Sequence, residues 1–361
     1  MPMLWESLTP LDPDEFGFHG FTDISDVRER VSRVGIRESP LSVTIIDRAV
    51  FVPVTGTRRS RKTGPFTFEG GVISDDGRIR AEVHLRRRGR EPIGGLPPDV
   101  DIKPLRDLDE EVLYLGWFHP RYGHFLLETL ARSWYLLQSD PGLRVAFHII
   151  RDFRYDGTIA QILSAFGVAA ERIVDLRVPT RVRRLIVPEA AYELGYAAQI
   201  DAARPYQAVA RHFLDGSPSP TQQPVYLSRS KLPDKLRAIV GEDEVERIFR
   251  ERGFHIAYPE TLSFAEQVRL VNRHAHIITN DGSAAYNVLF ALGRPTVHYL
   301  TDGAQVPDYF LVPRLVESSA TFIDCLRPTA PTPGRRDDLA LDMPVVVDYL
   351  DRTFPVHGTS G

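Results

Sequence analysis

A single cysteine, Cys325, stands in a chain of 361 residues. One thiol cannot form a disulfide within the chain and offers no cysteine cluster to a structural metal, so the sequence predicts a reducing compartment. The chain also lacks a run of about 18 apolar residues, and it does not begin with the basic start and apolar stretch of a secretory signal. We therefore expect a cytoplasmic protein without a membrane-spanning segment.

An excess of positive charge is missing as well. Lys and Arg number 44 against 48 Asp and Glu, which gives a formal net charge of -4. This balance argues against a polyanion held by the whole surface, so no nucleic-acid partner is expected. Basic runs at 58–62, 86–90 and 181–184 could meet phosphate groups locally, but they are interpreted as solvated loops or strand ends.

Length and hydrophobic content indicate a globular protein with two domains. Hydrophobic residues make up 43% of the chain, and single domains rarely grow beyond about 250–300 residues. We predict a first α/β domain over 1–216, in which 1–105 are strand-rich with β-hairpins. The stretch Ser217–Pro224, with three prolines among small polar residues, is the predicted linker.

The second predicted domain, over 225–326, alternates short apolar strands with amphipathic helices. This order predicts a doubly wound parallel sheet whose ligands bind at the carboxyl ends of the strands. A tail over 327–361 contains the apolar segment Met343–Leu350, which is predicted to form a helix packing back on the first domain. The overall fold class is therefore α/β.

A turn between an apolar strand and an apolar helix is the first candidate site. Gly282 would let the backbone turn tightly, while Ser283, Ala284 and Ala285 keep the helix start narrow enough for an anion to reach its free N–H groups. A diphosphate fits that arrangement. The same residues are also typical of an ordinary turn and N-cap, so both interpretations stay open.

A second candidate site follows the strand that begins the second domain. Ser228, Arg229 and Lys231 come directly after its apolar residues. Arg229 could bind phosphate oxygens in a bidentate manner, and Lys231 could add a point charge. The alternative is a solvated loop, but two anion-binding strand ends in one predicted sheet favour a ligand.

The third candidate lies in a helix predicted over Arg121–Gln138. His124, Glu128 and Arg132 recur at four-residue spacing on one face, so a carboxylate could orient the histidine as a general base for an acceptor hydroxyl. An ordinary helical His–Glu pair is the alternative. The acidic run at 107–111 precedes a strand and is interpreted as a solvated turn instead of a metal site, and no metal is expected.

Several of these stretches together resemble glycosyltransferase family 61, which includes bacterial capsular-polysaccharide, plant xylan and animal O-linked N-acetylglucosamine transferases. The segments that carry the resemblance are YGHFLLETLARSW at 122–134, YLSR at 226–229, GEDEVERIFRERGF at 241–254 and LSFAEQVRLVNRHAHIITNDGSAAYNVLF at 262–290. It implies a GT-B-like fold, in which two Rossmann-like domains face a cleft, and an inverting transfer without a metal. The first domain would then lie on the acceptor side.

The resemblance also implies roles for individual residues, with a uridine diphosphate sugar as the favoured donor. Arg229 and the turn through Gly282 and Asn287 would hold the diphosphate, and Glu244 would lie nearby. Glu266 and Gln267 would reach the nucleoside. Asp281 stands where the family often has a histidine, and it would accept a hydrogen bond from a sugar or ribose hydroxyl. His124 with Glu128 would supply the base.

The function expected from the sequence is thus transfer of a sugar from a nucleotide to a glycan hydroxyl in polysaccharide biosynthesis. The donor and the glycan acceptor are the expected partners, and peripheral contact with the inner membrane or with polysaccharide machinery stays open. A non-catalytic subunit that binds nucleotide sugars for an assembly complex is the alternative. A metal-dependent transferase using Asp107 and Asp109 ranks last.

Overall fold

The computed structural model describes residues 7–59, 66–90, 92–97, 102–214, 220–232, 239–303, 306–329 and 338–355. Part of the basic run at 58–62 and the first part of the predicted linker lie outside the described residues. The chain forms two compact units. The first comprises 1–9 and 35–205, and the second comprises 10–34 and 206–361.

Helices and strands alternate along most of the described chain. The α-helices are α1 (Ser25–Ser32), α2 (Tyr122–Leu127), α3 (Gly157–Ala165), α4 (Arg204–Phe213), α5 (Glu242–Glu251), α6 (Phe264–Arg273), α7 (Asp308–Leu315) and α8 (Met343–Thr353). The 3-10 helices are Pro13–Glu15, Ala81–Val83, Thr129–Leu137, Ala170–Arg172, Ile200–Ala203, Pro259–Thr261 and Ser283–Phe290.

The strands, in chain order, are β1 (Thr9–Pro10), β2 (Phe16–His19), β3 (Gly35–Arg37), β4 (Val43–Arg59), β5 (Phe66–Ile73), β6 (Gly94–Gly95), β7 (Arg106–Phe118), β8 (Arg144–Ile149), β9 (Thr180–Pro188), β10 (Tyr192–Glu193), β11 (Ala197–Gln199), β12 (Val225–Leu227), β13 (Ile239–Val240), β14 (His255–Ala257), β15 (His276–Asn280), β16 (Thr296–Thr301), β17 (Ala320–Asp324), β18 (Leu326–Pro328) and β19 (Leu339–Leu341). A mixed α/β fold with several sheets is confirmed.

A mixed six-stranded sheet in the order β6-β5-β4-β9-β7-β8 forms the centre of the first unit. The later part of this sheet contains β7, β8 and β9, and β7 pairs in parallel with both neighbours. The strand-rich early segment extends the same sheet, because β4 is antiparallel to β5 and to β9. Phe51, Val112 and Leu185 are fully buried in its core.

The second unit contains a six-stranded sheet in the order β14-β12-β15-β16-β17-β2. Every pairing in it is parallel. Amphipathic helices cover it: α5 buries Val245, Ile248 and Phe249 on one side and leaves Asp243 and Glu244 exposed. The carboxyl ends of β12 and β15 are neighbours, which is where the sequence predicted ligand residues.

Two features of the second unit differ from the sequence prediction. Strand β2, from the first twenty residues, completes the sheet by pairing with β17. The predicted C-terminal helix exists as α8, but its buried residues Val346, Tyr349 and Leu350 belong to the core of this unit. Helix α8 packs beside β17 within this unit, whereas the sequence predicted packing across the first domain.

The predicted helix at 121–138 is α-helical only as far as Leu127 and continues as a 3-10 helix over Thr129–Leu137. The predicted helix after Gly282 is likewise a 3-10 helix. Within the described residues, no helix combines the length and the hydropathy that a membrane span requires.

Candidate functional site

Two predicted strand ends meet at the carboxyl edge of the second unit's sheet. Leu227 at the end of β12 lies opposite Thr279 of β15, so the residues that follow the two strands are side by side. The half-buried Arg229 donates from Nη1 to the backbone oxygen of Asp281 at 3.3 Å. A Cβ added to Gly282 would lie 4.0 Å from the same Nη1. The guanidinium therefore faces the predicted turn.

A buried carboxylate that the sequence analysis did not select fixes the loop carrying Arg229. Glu242 Oε1 accepts from the backbone N–H of Arg229 at 2.7 Å, from the Tyr226 hydroxyl at 3.0 Å and from Ser228 Oγ at 3.2 Å. The Tyr226 hydroxyl in turn accepts from Asn280 Nδ2 at 2.7 Å. Glu242 thus ties together the ends of β12 and β15 and the start of α5.

A second carboxylate, one helical turn later, holds the rest of the loop. Glu246 Oε1 accepts from Ser228 Oγ at 2.7 Å and from Ser230 Oγ at 2.6 Å, while its Oε2 accepts from Tyr258 and Arg250. Burial alone would raise the pKa of Glu246, but these donors, led by Ser230, hold the pKa at about 2. The carboxylate is therefore ionised at neutral pH.

Lys231 lies further out in the same loop. Its side chain is exposed, with Nζ 5.7 Å from the centre of the Tyr258 ring. A cation–π contact of this kind at an exposed position contributes about 0.5–1 kcal/mol. It leaves the ammonium group hydrated and within reach of an anion.

The turn after β15 has a different geometry from the one predicted. Gly282 has φ 168° and ψ 169°, which is extended backbone open to any residue, so the expected need for glycine in a tight turn is wrong. The Ser283–Phe290 segment still begins with N–H groups that have no partner within a 3-10 helix. Ser283 is exposed, Ala284 is half-buried and Ala285 is buried. Asp281, half-buried, accepts from Thr301 Oγ1 at 3.3 Å.

The other residues predicted to bind the donor lie in α5, in α6 and in the 3-10 helix Ser283–Phe290. Glu244 is exposed in the first turn of α5. Glu266 caps the start of α6 in a reciprocal capping box with Ser263, whose hydrogen bonds lower the pKa of Glu266. Gln267 accepts from the buried Asn287 at 2.8 Å. These contacts stabilise helix ends and the packing of the 3-10 helix against α6.

In the first unit, the predicted His–Glu pair is present. His124 Nδ1 lies 2.6 Å from Glu128 Oε2, and the Glu128 side chain is 3% exposed against 29% for His124. Arg87 binds the same carboxylate with Nε and, at 2.7 Å, with Nη2. Burial would raise the pKa of Glu128, but the hydrogen bonds from His124 and Arg87 outweigh it and hold the pKa below its ordinary value.

This arrangement sets the protonation of the histidine ring. An ionised carboxylate only accepts hydrogen bonds, so His124 Nδ1 carries the proton and Nε2 keeps a lone pair when the ring is neutral. Among the described residues, Nε2 has no hydrogen-bond partner. A histidine held in this way can accept a proton at Nε2 while the carboxylate stabilises the resulting cation.

Arg132, which was predicted on the same face, and the neighbouring His119 do not join the pair. Arg132 is buried and donates to the backbone oxygens of Pro188 and Glu82. The His119 ring lies beside that of His124, tilted by 32° with ring centres 4.4 Å apart, and burial lowers the pKa of His119 to about 4. His119 Nδ1 accepts from the backbone N–H of Arg121 at 3.1 Å. His119 is thus a neutral neighbour of the pair at physiological pH.

The acidic run at 107–111 is part of strand β7 and not the solvated turn that was predicted. Its carboxylates face arginines of the neighbouring strand β9: Asp107 pairs with Arg181 and Asp109 with Arg183. The run and the basic segment at 181–184 therefore form a cross-strand ladder. Among the residues that the structure describes, no three His, Cys, Asp or Glu side chains lie together as metal ligands do.

Sequence reasoning missed Arg87, Glu242 and Glu246. Arg87 belongs to a basic run that was interpreted as solvated, and nothing in its local pattern marks it as a partner of Glu128. Glu242 and Glu246 carried a usable signal, because they occupy the same face of α5 as Val245 and Phe249. Carboxylates on the apolar face of a helix are rarely buried without a partner.

A comparison with known families addresses the identity of the chain. Residues 122–298 match the family model described as Glycosyltransferase 61. The matched segment includes His124 and Glu128 at its start, and Arg229, Glu242 and the Gly282 turn further along. No curated protein matches the chain. The chain belongs to glycosyltransferase family 61.

Proposed function

We propose that this protein transfers a sugar from a nucleoside diphosphate to a glycan hydroxyl, with inversion at the anomeric carbon and without a metal. Membership of a glycosyltransferase family supports the transfer. The observation that carries the donor assignment is the meeting of Arg229 with the backbone of Asp281 and Gly282 at adjacent strand ends.

The proposal extends to features that the family resemblance implies. The two units, which the sequence predicted as domains over 1–216 and 225–326 and which the structure divides at other residues, would be the Rossmann-like domains of a GT-B-like fold, and uridine would be the base of the donor. The reaction would belong to polysaccharide biosynthesis, such as that of a capsule, in the cytoplasm and with peripheral contact at the inner membrane.

The second unit would bind the donor through fixed positive potential. Arg229 uses one N–H on Asp281, and a guanidinium carries five, so donors remain for diphosphate oxygens. Gly282 places no side chain in front of that guanidinium, and the first N–H groups of the following 3-10 helix add partial positive charge. Lys231 would add a mobile cation, and Asp281 would accept from a donor hydroxyl.

The first unit would supply the base. His124 Nε2 takes the proton of the acceptor hydroxyl as its oxygen bonds to the anomeric carbon. The bond from that carbon to the diphosphate oxygen breaks, and the electron pair leaves with the diphosphate. Glu128, ionised and bound by Arg87, would stabilise the imidazolium. Arg229 and Lys231 would balance the charge of the leaving group.

The donor site is tested by measuring how much uridine diphosphate stabilises the protein against thermal or urea unfolding. A ligand at 100 times its dissociation constant stabilises the folded protein by about 2.7 kcal/mol. We expect such a gain for the wild type and for Arg247→Ala, which removes an exposed partner of Glu251. Arg229→Ala should lose most of the gain while keeping the stability of the free protein.

An equal gain in stability for Arg229→Ala and for the wild type would contradict the proposed donor site.

A second experiment distinguishes the transferase from the alternative of a non-catalytic binding subunit. The same protein is incubated with uridine diphosphate sugars and a panel of oligosaccharides. Release of uridine diphosphate by the wild type supports transfer, whereas binding without release would indicate a nucleotide-sugar-binding scaffold.

A further inference from the structure

A second imidazole, that of His119, lies next to the proposed base. Its ring centre is 4.4 Å from that of His124, and the two ring planes are tilted by 32°. His119 is 8% exposed and does not share the Glu128 carboxylate with His124. The proposed transfer leaves this second ring without a role.

His119 is held in position from two sides. Its backbone N–H donates to Thr129 Oγ1 at 3.1 Å, and that hydroxyl donates to the backbone oxygen of Trp117 at 3.0 Å. Its ring Nδ1 accepts from the backbone N–H of Arg121 at 3.1 Å. Because both the backbone and the ring are fixed, little conformational entropy is lost when the ring binds a ligand.

The contact with Arg121 decides which ring nitrogen of His119 carries the hydrogen. A backbone N–H only donates, so Nδ1 presents its lone pair and the neutral ring carries its hydrogen on Nε2. Burial, and after it the neighbouring His124, lower the pKa of His119 to about 4, so the ring is neutral at physiological pH. Its one lone pair is already used by Arg121, and His119 therefore cannot be the base.

The two rings offer opposite hydrogen-bonding groups. Nε2 of His119 has no partner among the described residues and is not fully buried, so its N–H is available to a ligand. His124 donates from Nδ1 to Glu128 and keeps a lone pair on Nε2. A ligand at these rings therefore meets one donor beside one acceptor.

This pair of groups matches a sugar that carries hydroxyls on neighbouring carbons. One hydroxyl donates to Nε2 of His124, and the oxygen of the next accepts from Nε2–H of His119. A phosphate or carboxylate oxygen only accepts, so it would leave the lone pair of His124 without a donor. An ammonium group only donates, so it would leave the N–H of His119 without an acceptor.

We propose that His119 binds the acceptor sugar by donating from Nε2 to the oxygen next to the hydroxyl that reacts. This role rests on the proposed function, because the reacting hydroxyl is the one that His124 deprotonates. A donor at the neighbouring oxygen leaves the lone pairs of the attacking oxygen for the anomeric carbon. Since the bond exists before and during transfer, it strengthens acceptor binding without changing the rate of the chemical step.

Two substitutions separate the contact with the acceptor from the contact with Arg121. The amide oxygen of His119→Asn can replace Nδ1, but the side chain is too short to reach the position of Nε2. The longer His119→Gln can place an amide N–H there. Release of uridine diphosphate is measured with cellobiose, lactose, mannobiose and xylobiose as acceptors. We expect the acceptor KM to rise about tenfold in His119→Asn, equivalent to 1.4 kcal/mol, and much less in His119→Gln, with kcat nearly unchanged in both.

The opposite result, a wild-type KM in His119→Asn and a raised KM in His119→Gln, would show that the ring only supports Arg121, and the proposal would be wrong. A second measurement needs no substrate. Long-range ¹H–¹⁵N NMR spectra of the free protein at neutral pH, with His119→Asn to assign the signals, should show hydrogen on Nε2 of His119 and on Nδ1 of His124. Hydrogen on Nδ1 of His119 would overturn the proposal, whereas the expected spectra without any release of uridine diphosphate would contradict the proposed function and, with it, the role of His119.

Discussion

At the scale of single residues, Glu128 is held by two partners of different kinds. His124 lies one helical turn before it, and Arg87 comes from a segment 41 residues earlier in the chain. Because the carboxylate is almost fully buried, its ionised form depends on these donors. Arg87 acts on the reaction through Glu128, so we regard it as a positioning residue.

Arg87→Gln should move the acidic limb of the pH–activity profile to higher pH. In the wild type, the pKa of Glu128 is lowered, so the carboxylate stays ionised as the pH falls below the range of ordinary carboxyl groups. Removal of the guanidinium raises that pKa, and the ionised partner of His124 is then lost at a less acidic pH. The measurement is kcat/KM for uridine diphosphate release across pH 4–8.

The matched control is Arg90→Gln in the same basic run, because Arg90 is exposed. Its profile should overlie that of the wild type. A purely structural role for Arg87 would lower activity by the same factor at every pH, and that outcome would contradict the positioning role.

The sequence predicts the His124–Glu128 contact because four-residue spacing in a helix brings side chains together whatever the tertiary fold. Arg87 could not be found in this way. Its contact with Glu128 joins segments 41 residues apart, and its neighbours in sequence are arginines that resemble a solvated run.

At the scale of elements, helix α5 organises the donor edge of the second unit through its first two turns. Glu242 and Glu246 lie four residues apart and together accept hydrogen bonds from Tyr226, Ser228, Arg229 and Ser230. Gly241, with φ 83°, begins the helix in a left-handed conformation that favours glycine. Helix α5 thus holds the loop that carries Arg229 in place through these hydrogen bonds.

Glu242→Gln should both destabilise the fold and weaken binding of uridine diphosphate. The amide would present N–H groups to the side chains and backbone N–H that now donate hydrogen bonds to Glu242. Loss of a charged hydrogen-bond acceptor in a buried site lowers the free energy of unfolding by about 1–3 kcal/mol. Glu244→Gln, two residues away and exposed, should change the free energy of unfolding by less than about 0.5 kcal/mol. Urea unfolding with and without the nucleotide measures both effects.

This pair of variants also distinguishes the role predicted for Glu244 from the role that the structure indicates for Glu242. The resemblance places Glu244 near the diphosphate, whereas the hydrogen bonds assign the loop to Glu242. Weaker nucleotide binding in Glu244→Gln, with Glu242→Gln unaffected, would return the role to Glu244.

Strands and helices were predictable where apolar periodicity was strong. The alternation of short strands and amphipathic helices predicted for 225–326 is present, as in α6 (Phe264–Arg273) followed by β15 (His276–Asn280). The segments after Gly282 and after Glu128 were predicted as regular helix but form 3-10 helices. Composition does not separate the two forms, since the tighter winding is imposed by packing against neighbouring elements.

At the scale of the whole molecule, buried histidines make the fold sensitive to acid. Burial lowers the pKa of His148 in the first unit and of His298 in the second, each to about 3. His298 bonds to Tyr349 through Nδ1 and lies 3.2 Å from His276 through Nε2. Nearby, His255 and His274 form a second pair at 3.1 Å.

The free energy of unfolding should fall as the pH is lowered from 7.5 to 5. The unfolded chain protonates each histidine near pH 6.5, whereas the folded chain keeps these buried rings neutral, so protons favour the unfolded state below that pH. Each such ring contributes a slope of up to about 1.4 kcal/mol per pH unit. Carboxylates with lowered pKa add their loss only below about pH 4.5.

His298→Gln should flatten this slope in urea unfolding measured at several pH values. His212→Gln removes an exposed ring and should leave the slope unchanged. If the free energy of unfolding of the wild type is constant between pH 7.5 and 5, the folded protein protonates these rings as readily as the unfolded chain does. That outcome would contradict the prediction.

The pairing of β2 with β17 has a consequence for how the chain can be divided. Phe16–His19 and Ala320–Asp324 are adjacent in one sheet although some 300 residues separate them. The second unit is therefore assembled from segments on both sides of residues 35–205 in the sequence. Neither a fragment trimmed to 122–298 nor one beginning at 206 contains every strand of that sheet. During synthesis, β2 emerges some 300 residues before β17, the strand with which it pairs.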